Sequence, residues 1–262
     1  MSSILVFDIE TIPDAEGLVK LELIPNSDEK SVDEYLLKLK EEKKTDFLPL
    51  HLHKIIAISC VLRRQNKSAE QEIFVNSLGS SISSEEEIIQ KFYSLIDRYQ
   101  PQLISWNGSG FDLPVLHYRG LINNVSAYQY WDMGDRADFN SKEYKWNNYI
   151  SRYHLRHIDL MDLLSLYQPK AYAKMDDMAK LCNLPGKLGM DGSQVWSEYK
   201  KGNIDQIRAY CETDVANTYL LYQKFNSMRF GDSNLFVKEK EFLKCSLDSS
   251  QKHWQEYLVK LA

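Results

Sequence analysis

No run of residues in this chain approaches the ~20 consecutive apolar positions that a helix needs to cross a bilayer. The opening MSSILVFDIE has neither a basic segment nor a long apolar stretch, so a secretory leader is not expected. Cysteine is scarce. Cys60, Cys182, Cys211 and Cys245 are far apart and form no CxxC pair. That spacing excludes a zinc-knuckle pattern and a disulfide framework, and reduced thiols point to the cytoplasm. An excess of basic charge is also missing, since 32 Lys and Arg against 37 Asp and Glu leave a formal net charge of -5. A protein that holds nucleic acid by charge alone is normally basic, so a simple binding module is disfavoured. The acidic balance is compatible with an enzyme that meets phosphate through cations, because such a site gathers carboxylates.

With 44% hydrophobic and 26% charged residues the composition is globular. A single α/β domain is expected, carrying insertions near 14–50 and 124–150 and a helical C-terminal tail over 229–262. The apolar run 4–7 reads as a buried strand, and 54–62 and 71–78 read as two more. Ser84 with Glu87 has capping-box spacing and opens a helix in which Ile88, Ile89, Phe92, Leu95, Ile96 and Tyr99 recur at helical intervals. QLISW (102–106) is a fourth strand, followed by the turn Asn107-Gly108-Ser109-Gly110 and a short helix. Residues 157–167 fit either a strand or a helix start. Residues 174–184 read as a helix and 185–193 as a loop. The segment 204–225 places Ile204, Ile207, Cys211, Val215, Thr218, Tyr222 and Phe225 on one stripe of a long amphipathic helix. Short strand-to-strand connections predict an antiparallel start to a mixed sheet.

Three carboxylate groupings stand out. Asp8 and Glu10 end the first strand, and alternation turns both side chains to one face. Adjacent carboxylates repel and are costly to bury, and a divalent cation with oxygen ligands removes that cost. Asp112 follows the glycine turn, where Gly108 and Gly110 allow close backbone approach. Tyr210 and Asp214 lie one turn apart on the long helix. Each grouping alone is explained as well by solvated charges, a helix-start aspartate or a surface hydrogen bond.

In combination, Asp8-x-Glu10, Asn107-x-x-x-Phe111-Asp112 and Tyr210-x-x-x-Asp214 resemble the three exonuclease motifs of the DEDD superfamily, in its tyrosine-bearing branch. The wording FDIET, SWNGSGFDLPVL and YCETDVANTYLLY is similar to that of stand-alone bacterial exonucleases related to the proofreading domain of family B DNA polymerases, and HIDLMDLL and LPGKLGMDGSQVW add to the likeness. The resemblance implies a ribonuclease-H-like fold, a central mixed five-stranded sheet flanked by helices. It implies 3′→5′ hydrolysis of single-stranded nucleic acid from its 3′ end, DNA favoured, with release of nucleoside monophosphates. It implies two divalent cations, Mg2+ or Mn2+, one among Asp8, Glu10 and Asp214 and the other at Asp8 with Asp112. Tyr210, whose unperturbed pKa would be ~10, is then expected to orient the attacking water.

Candidate substrate contacts near the motifs are Ile9, Thr11, Trp106, Asn107 and Phe111. Lys170 and Lys174 interleave with tyrosines in YQPKAYAK and are candidates for the phosphate backbone, and Lys187 in the family-like loop is a candidate substrate contact without an assigned role. His51-x-His53 lacks further metal ligands nearby and reads as surface or strand-edge histidines, and His154-x-x-His157 lacks the glutamate of a zinc protease. YCETD is superficially like a polymerase palm motif, but its neighbours have helical period. A haloacid-dehalogenase-type phosphatase needs DxD where this chain has DxE. The competing reading is a catalytically inactive ribonuclease-H-like module that binds nucleic acid.

Overall fold

A computed structural model describes residues 3–45, 47–137 and 139–262. In chain order the elements are β1 (Ile4–Pro13), α1 (Ala15–Lys20), α2 (Glu29–Lys43), β2 (His53–Gln65), β3 (Gln71–Ser77), α3 (Glu85–Tyr99), β4 (Gln102–Ser105) and α4 (Asp112–Ile122). They continue with β5 (His157–Asp159), α5 (Leu160–Leu164), α6 (Met175–Leu181), α7 (Val195–Lys200), α8 (Ile204–Phe230), α9 (Ser233–Ser246) and α10 (Lys252–Leu261). The sheet order is β3-β2-β1-β4-β5. β1–β2 and β2–β3 are antiparallel, and β1–β4 and β4–β5 are parallel. This is the mixed five-stranded sheet with helices on both faces that the ribonuclease-H-like expectation required. Among the described residues, no helix is long and apolar enough to cross a membrane.

β1 is the hinge of the architecture, since it pairs antiparallel on one side and parallel on the other. Its alternation splits the core. Leu5, Phe7 and Ile9 pack against α3 and α4 with Phe92, Ile96 and Leu116. Val6 packs on the opposite face with Val215, Tyr219 and Leu220 of α8. The strand runs well past the apolar run 4–7, with a bulge between Glu10 and Thr11. Bulges re-aim side chains and recur beside functional sites. β4 pairs only with Ile4, Leu5 and Val6 before it turns away at Ser105. The parallel edge of β1 is therefore open from Phe7 onward. A crevice beyond the carboxyl ends of strands, where the connection sense switches, is where ligands enter open α/β sheets.

Several local expectations meet the structure directly. The Ser84 side chain caps α3 by accepting from the Glu87 N–H at 3.1 Å, while Glu87 itself pairs with Lys91. The ambiguous segment 157–167 is both things in succession, a three-residue strand whose last residue, Asp159, caps α5 through the N–H groups of Met161 and Asp162. The long helix differs from the one-stripe reading. Thr213 through Gln223 are buried throughout, because α9 and α10 pack against the helix beside the sheet with Leu243, Trp254, Tyr257 and Leu261. His53, the first residue of β2, and His157 are both buried. His53 bonds Thr11 and the Leu48 carbonyl, and His157 bonds Ser105. Between β1 and β2, α1 and α2 form a small core of their own around Leu18, Val32, Leu39 and Leu48.

Candidate active site

The site is built where the open edge of β1 meets the first turns of α4 and the middle of α8. Asp8 and Glu10 project toward α8, as strand alternation requires with Val6 on the same face. Glu10, Asp112 and Asp214 are buried and Asp8 is half-buried. Asp112 arrives from the other side of the sheet. The turn that delivers it is strained at Asn107, which has φ 66°, and tight at Gly108, where a Cβ would collide with the Ser105 side chain. Asp159 holds the turn by accepting the N–H groups of Asn107 at 2.9 Å and Ser109 at 2.8 Å. The Asp112 carboxylate then accepts the Ile9 N–H at 3.2 Å, a backbone donor that β4 leaves unpaired by turning away.

From α8, Tyr210, Cys211 and Asp214 face the same space, on adjacent positions of one helical surface. The Cys211 thiol donates toward the Asp8 carbonyl at 3.5 Å and its carboxylate at 3.7 Å. A ligand atom from each of Asp8, Glu10 and Cys211 lies within 4.8 Å of the other two. Lys187, from the loop before α7, donates to the Tyr210 hydroxyl at 2.5 Å and lies 3.8 Å from Asp214 Oδ2. It is the cation nearest these carboxylates, and its side chain is 31% exposed. Asp214 Oδ1 is buried without a hydrogen-bond partner.

The electrostatics follow from burial without compensation. Burial raises the Asp8 carboxyl well above its usual range, and the charges of Asp112 and Asp214 add to that, while Lys187 opposes it. Burial likewise raises Glu10 well above the ordinary value, helped by Asp8 and Asp214. Burial raises Asp112 to about 7 and Asp214 to about 6, with Lys187 pulling Asp214 back down. The Tyr210 phenol is driven far upward by burial and then by Asp214, Glu10 and Asp8, so it keeps its proton at neutral pH.

The residues fit divalent cations. The oxygen ligands of Asp8 and Glu10 converge, the repulsion among the buried carboxylates is relieved only in part by Lys187, and one carboxylate oxygen of Asp214 has no hydrogen-bond partner. A hard cation prefers those oxygens to a thiol, so Cys211 reads as a donor to Asp8. Sequence reasoning placed Cys211 on the apolar stripe and missed Asp159. The signal for Cys211 was its position beside Tyr210. Asp159 lay in the family-like HIDLMDLL, but its hold on the turn could not be read there, since Asn107 and Ser109 lie some fifty residues away.

The candidate substrate residues divide. Ile9, Thr11 and Phe111 line a groove of about 770 Å3 that begins at Glu10 and is walled by α2, Phe47, His53 and Trp196. Phe47 and Phe111 rings are 5.7 Å apart there. Trp106 instead turns toward α6 and donates to the Ala173 carbonyl at 3.1 Å. Asn107 serves the turn. Lys170 and Lys174 are exposed and line neither the groove nor the carboxylate cluster. Lys187 stands inside the carboxylate cluster.

Residues 45–261 match the model of a family described as predicted 3′-5′ exonuclease related to the exonuclease domain of PolB. The matched span contains Asp112, Tyr210 and Asp214 and begins after β1, so Asp8 and Glu10 join the site through the fold. No match was found among curated proteins.

Proposed function

From the premise that this chain belongs to the family of predicted 3′-5′ exonucleases related to the exonuclease domain of PolB, we propose that it shortens single-stranded nucleic acid from the 3′ end with two divalent cations. The observation that carries the reading is that Asp8, Glu10, Asp112 and Asp214 lie close enough for their charges to act on one another, with Asp8 and Glu10 converging and one Asp214 oxygen left without a partner. Asp8, Glu10 and Asp214 would hold one cation, and Asp8 with Asp112 the other, Mg2+ or Mn2+ in either case. When bound, the cations would supply charge neutralisation for the phosphodiester and acidify a water.

The chain's own residues do the positioning. Tyr210 accepts from Lys187 and retains its proton, so it orients the attacking water and does not deprotonate it. The Lys187 ammonium offsets part of the carboxylate charge and fixes the phenol's direction. Asp112 is held on the Ile9 N–H, and Asp159 keeps its turn rigid. Thr11, Phe47 and Phe111 border the groove that receives the terminal nucleotides, where aromatic faces favour an unpaired base. The products are nucleoside monophosphates, with DNA the favoured substrate.

A 5′-labelled strand incubated with Mn2+ or Mg2+, as DNA and as RNA, tests this. A descending ladder of labelled products is expected. Immediate release of a labelled mononucleotide would mean the opposite polarity and overturn the reading.

A further inference from the structure

Between residues 142 and 174 the chain carries six Lys and Arg and three Asp and Glu. Two of the acids, Asp159 and Asp162, are buried, Asp162 pairing with Arg152 at 2.7 Å, which leaves Glu143 as the exposed acid against the five other cations. A basic face on a chain of net charge -5 is a local feature that bulk composition hides. Aromatic rings lie along it. Trp146 is 77% exposed and Tyr153 75% exposed. Tyr153 meets Tyr167 edge-on at 5.3 Å, the Arg152 guanidinium lies 5.1 Å over the Tyr167 ring, and Tyr172 is bonded to Asp162 beside Arg152. The backbone is strained to make this arrangement. Leu166 and Tyr167 are successive non-glycine residues at φ 53° and 62°, and Leu166 is 72% exposed.

The stripe adjoins the turn that delivers Asp112, since Arg152 and Tyr172 line a cavity of about 390 Å3 together with Ser109, Gly110 and Leu113. We propose that this stripe carries the single strand on the 5′ side of the scissile phosphate, with Trp146, Tyr153 and Tyr167 as stacking platforms and Lys170 and Lys174 on its phosphates. The inference rests on the exonuclease reading. It commits to single-stranded nucleic acid because ring faces alternate with cations, the composition that tracks unstacked bases and a phosphate backbone together. It also gives Lys170 and Lys174 a substrate without the terminal-nucleotide groove.

The test compares the double variant Trp146→Ala/Tyr153→Ala with the wild type on two substrates. One is a single strand longer than ~16 nucleotides, beyond one typical binding site. The other is the p-nitrophenyl ester of thymidine 5′-monophosphate, which has no upstream strand. The ratio of kcat/KM for the strand to that for the ester should fall about fivefold or more, given the usual worth of a stacked base. Lys170→Gln/Lys174→Gln should lower the salt dependence of strand affinity, by about 0.7 in log–log slope for each phosphate that is no longer neutralised. Both oligothymidylate and oligouridylate are used, so that a sugar preference is read separately. An unchanged ratio with an unchanged salt slope would overturn the stripe. A wild type that hydrolyses neither substrate with Mn2+ would instead overturn the exonuclease reading, and fluorescence anisotropy of the labelled strand on the same variants would still decide whether the stripe binds it.

Discussion

Two groups of buried carboxylates lie along the first fourteen residues of the fold, and they are balanced in opposite ways. Just beyond β1, Asp14 shares Arg119 with Glu85, at 2.5 Å to each. Glu85 also accepts the Ile55 N–H at 2.7 Å and the Asn123 amide at 3.1 Å, so its oxygens are saturated. Midway along β1, Asp8 and Glu10 meet Asp112 and Asp214 with one partly exposed ammonium, Lys187, and one carboxylate oxygen has nothing. Burying a charge is tolerable when it is paired and hydrogen-bonded and expensive when it is not. The first group is a structural clamp joining the ends of β1 and β2 to α3 and α4. The second is compensated only in part within the chain, by Lys187, as the proposed cation site requires.

The contrast is sharpest in activity. Asp214→Asn should lower hydrolysis by about 10³-fold or more, since each tenfold is ~1.4 kcal/mol and a positioned cation contributes several. In the absence of metal the same variant should melt no lower than the wild type, because it removes repulsion. Full activity in the purified variant would erase the distinction between the two groups. Arg119→Met should do the reverse. Stranding Asp14 and Glu85 should cost about 3–5 kcal/mol in denaturant unfolding, with the folded fraction still hydrolysing its substrate. A loss of activity without loss of stability would make Arg119 part of the site.

Acidity separates the groups next. Asp112, raised to about 7, contributes stability that is complete below its unfolded value and is lost as pH rises through 7. The metal-free protein should therefore melt progressively lower than Asp112→Asn between pH 5 and pH 8. At a concentration of Mg2+ ~100 times its dissociation constant, about 2.7 kcal/mol should return to the wild type and little to the variant. A difference that does not change with pH would mean that Asp112 is compensated within the chain. The smallest effect belongs to Tyr210→Phe. A phenol that orients without transferring a proton should cost about tenfold in kcat, less than the 10²–10⁴ typical of a proton-transfer catalyst. A loss as large as that of Asp214→Asn would give Tyr210 a proton-transfer role.

The legible part of the site was its local part. Strand alternation put Asp8 and Glu10 on one face, helical period put Tyr210 and Asp214 on another, and the glycine turn marked the approach to Asp112. What escaped were partners from distant segments. The burial of α8 on all sides came from α9 and α10, expected as a helical tail whose packing partner no local pattern names. Lys187 lay in a loop without period. Trp106, expected near substrate, was drawn away by the carbonyl of Ala173. His53 looked like a strand-edge residue and became a groove wall once α1 and α2 folded over it.

By itself the sequence determined most strands and the longer helices, where α3 begins, and the two spacings that align carboxylates in pairs, because those depend on torsions and side-chain directions within a few residues. The tertiary structure alone decided that the pairs meet. Asp8 and Asp214 are separated by 206 positions in the chain and are brought together only when α8 crosses β1. β4 had to turn away early to free the Ile9 N–H for Asp112. Whether a carboxylate is a clamp or a cation ligand depends on which cation the fold carries to it, and that is a property of long-range packing.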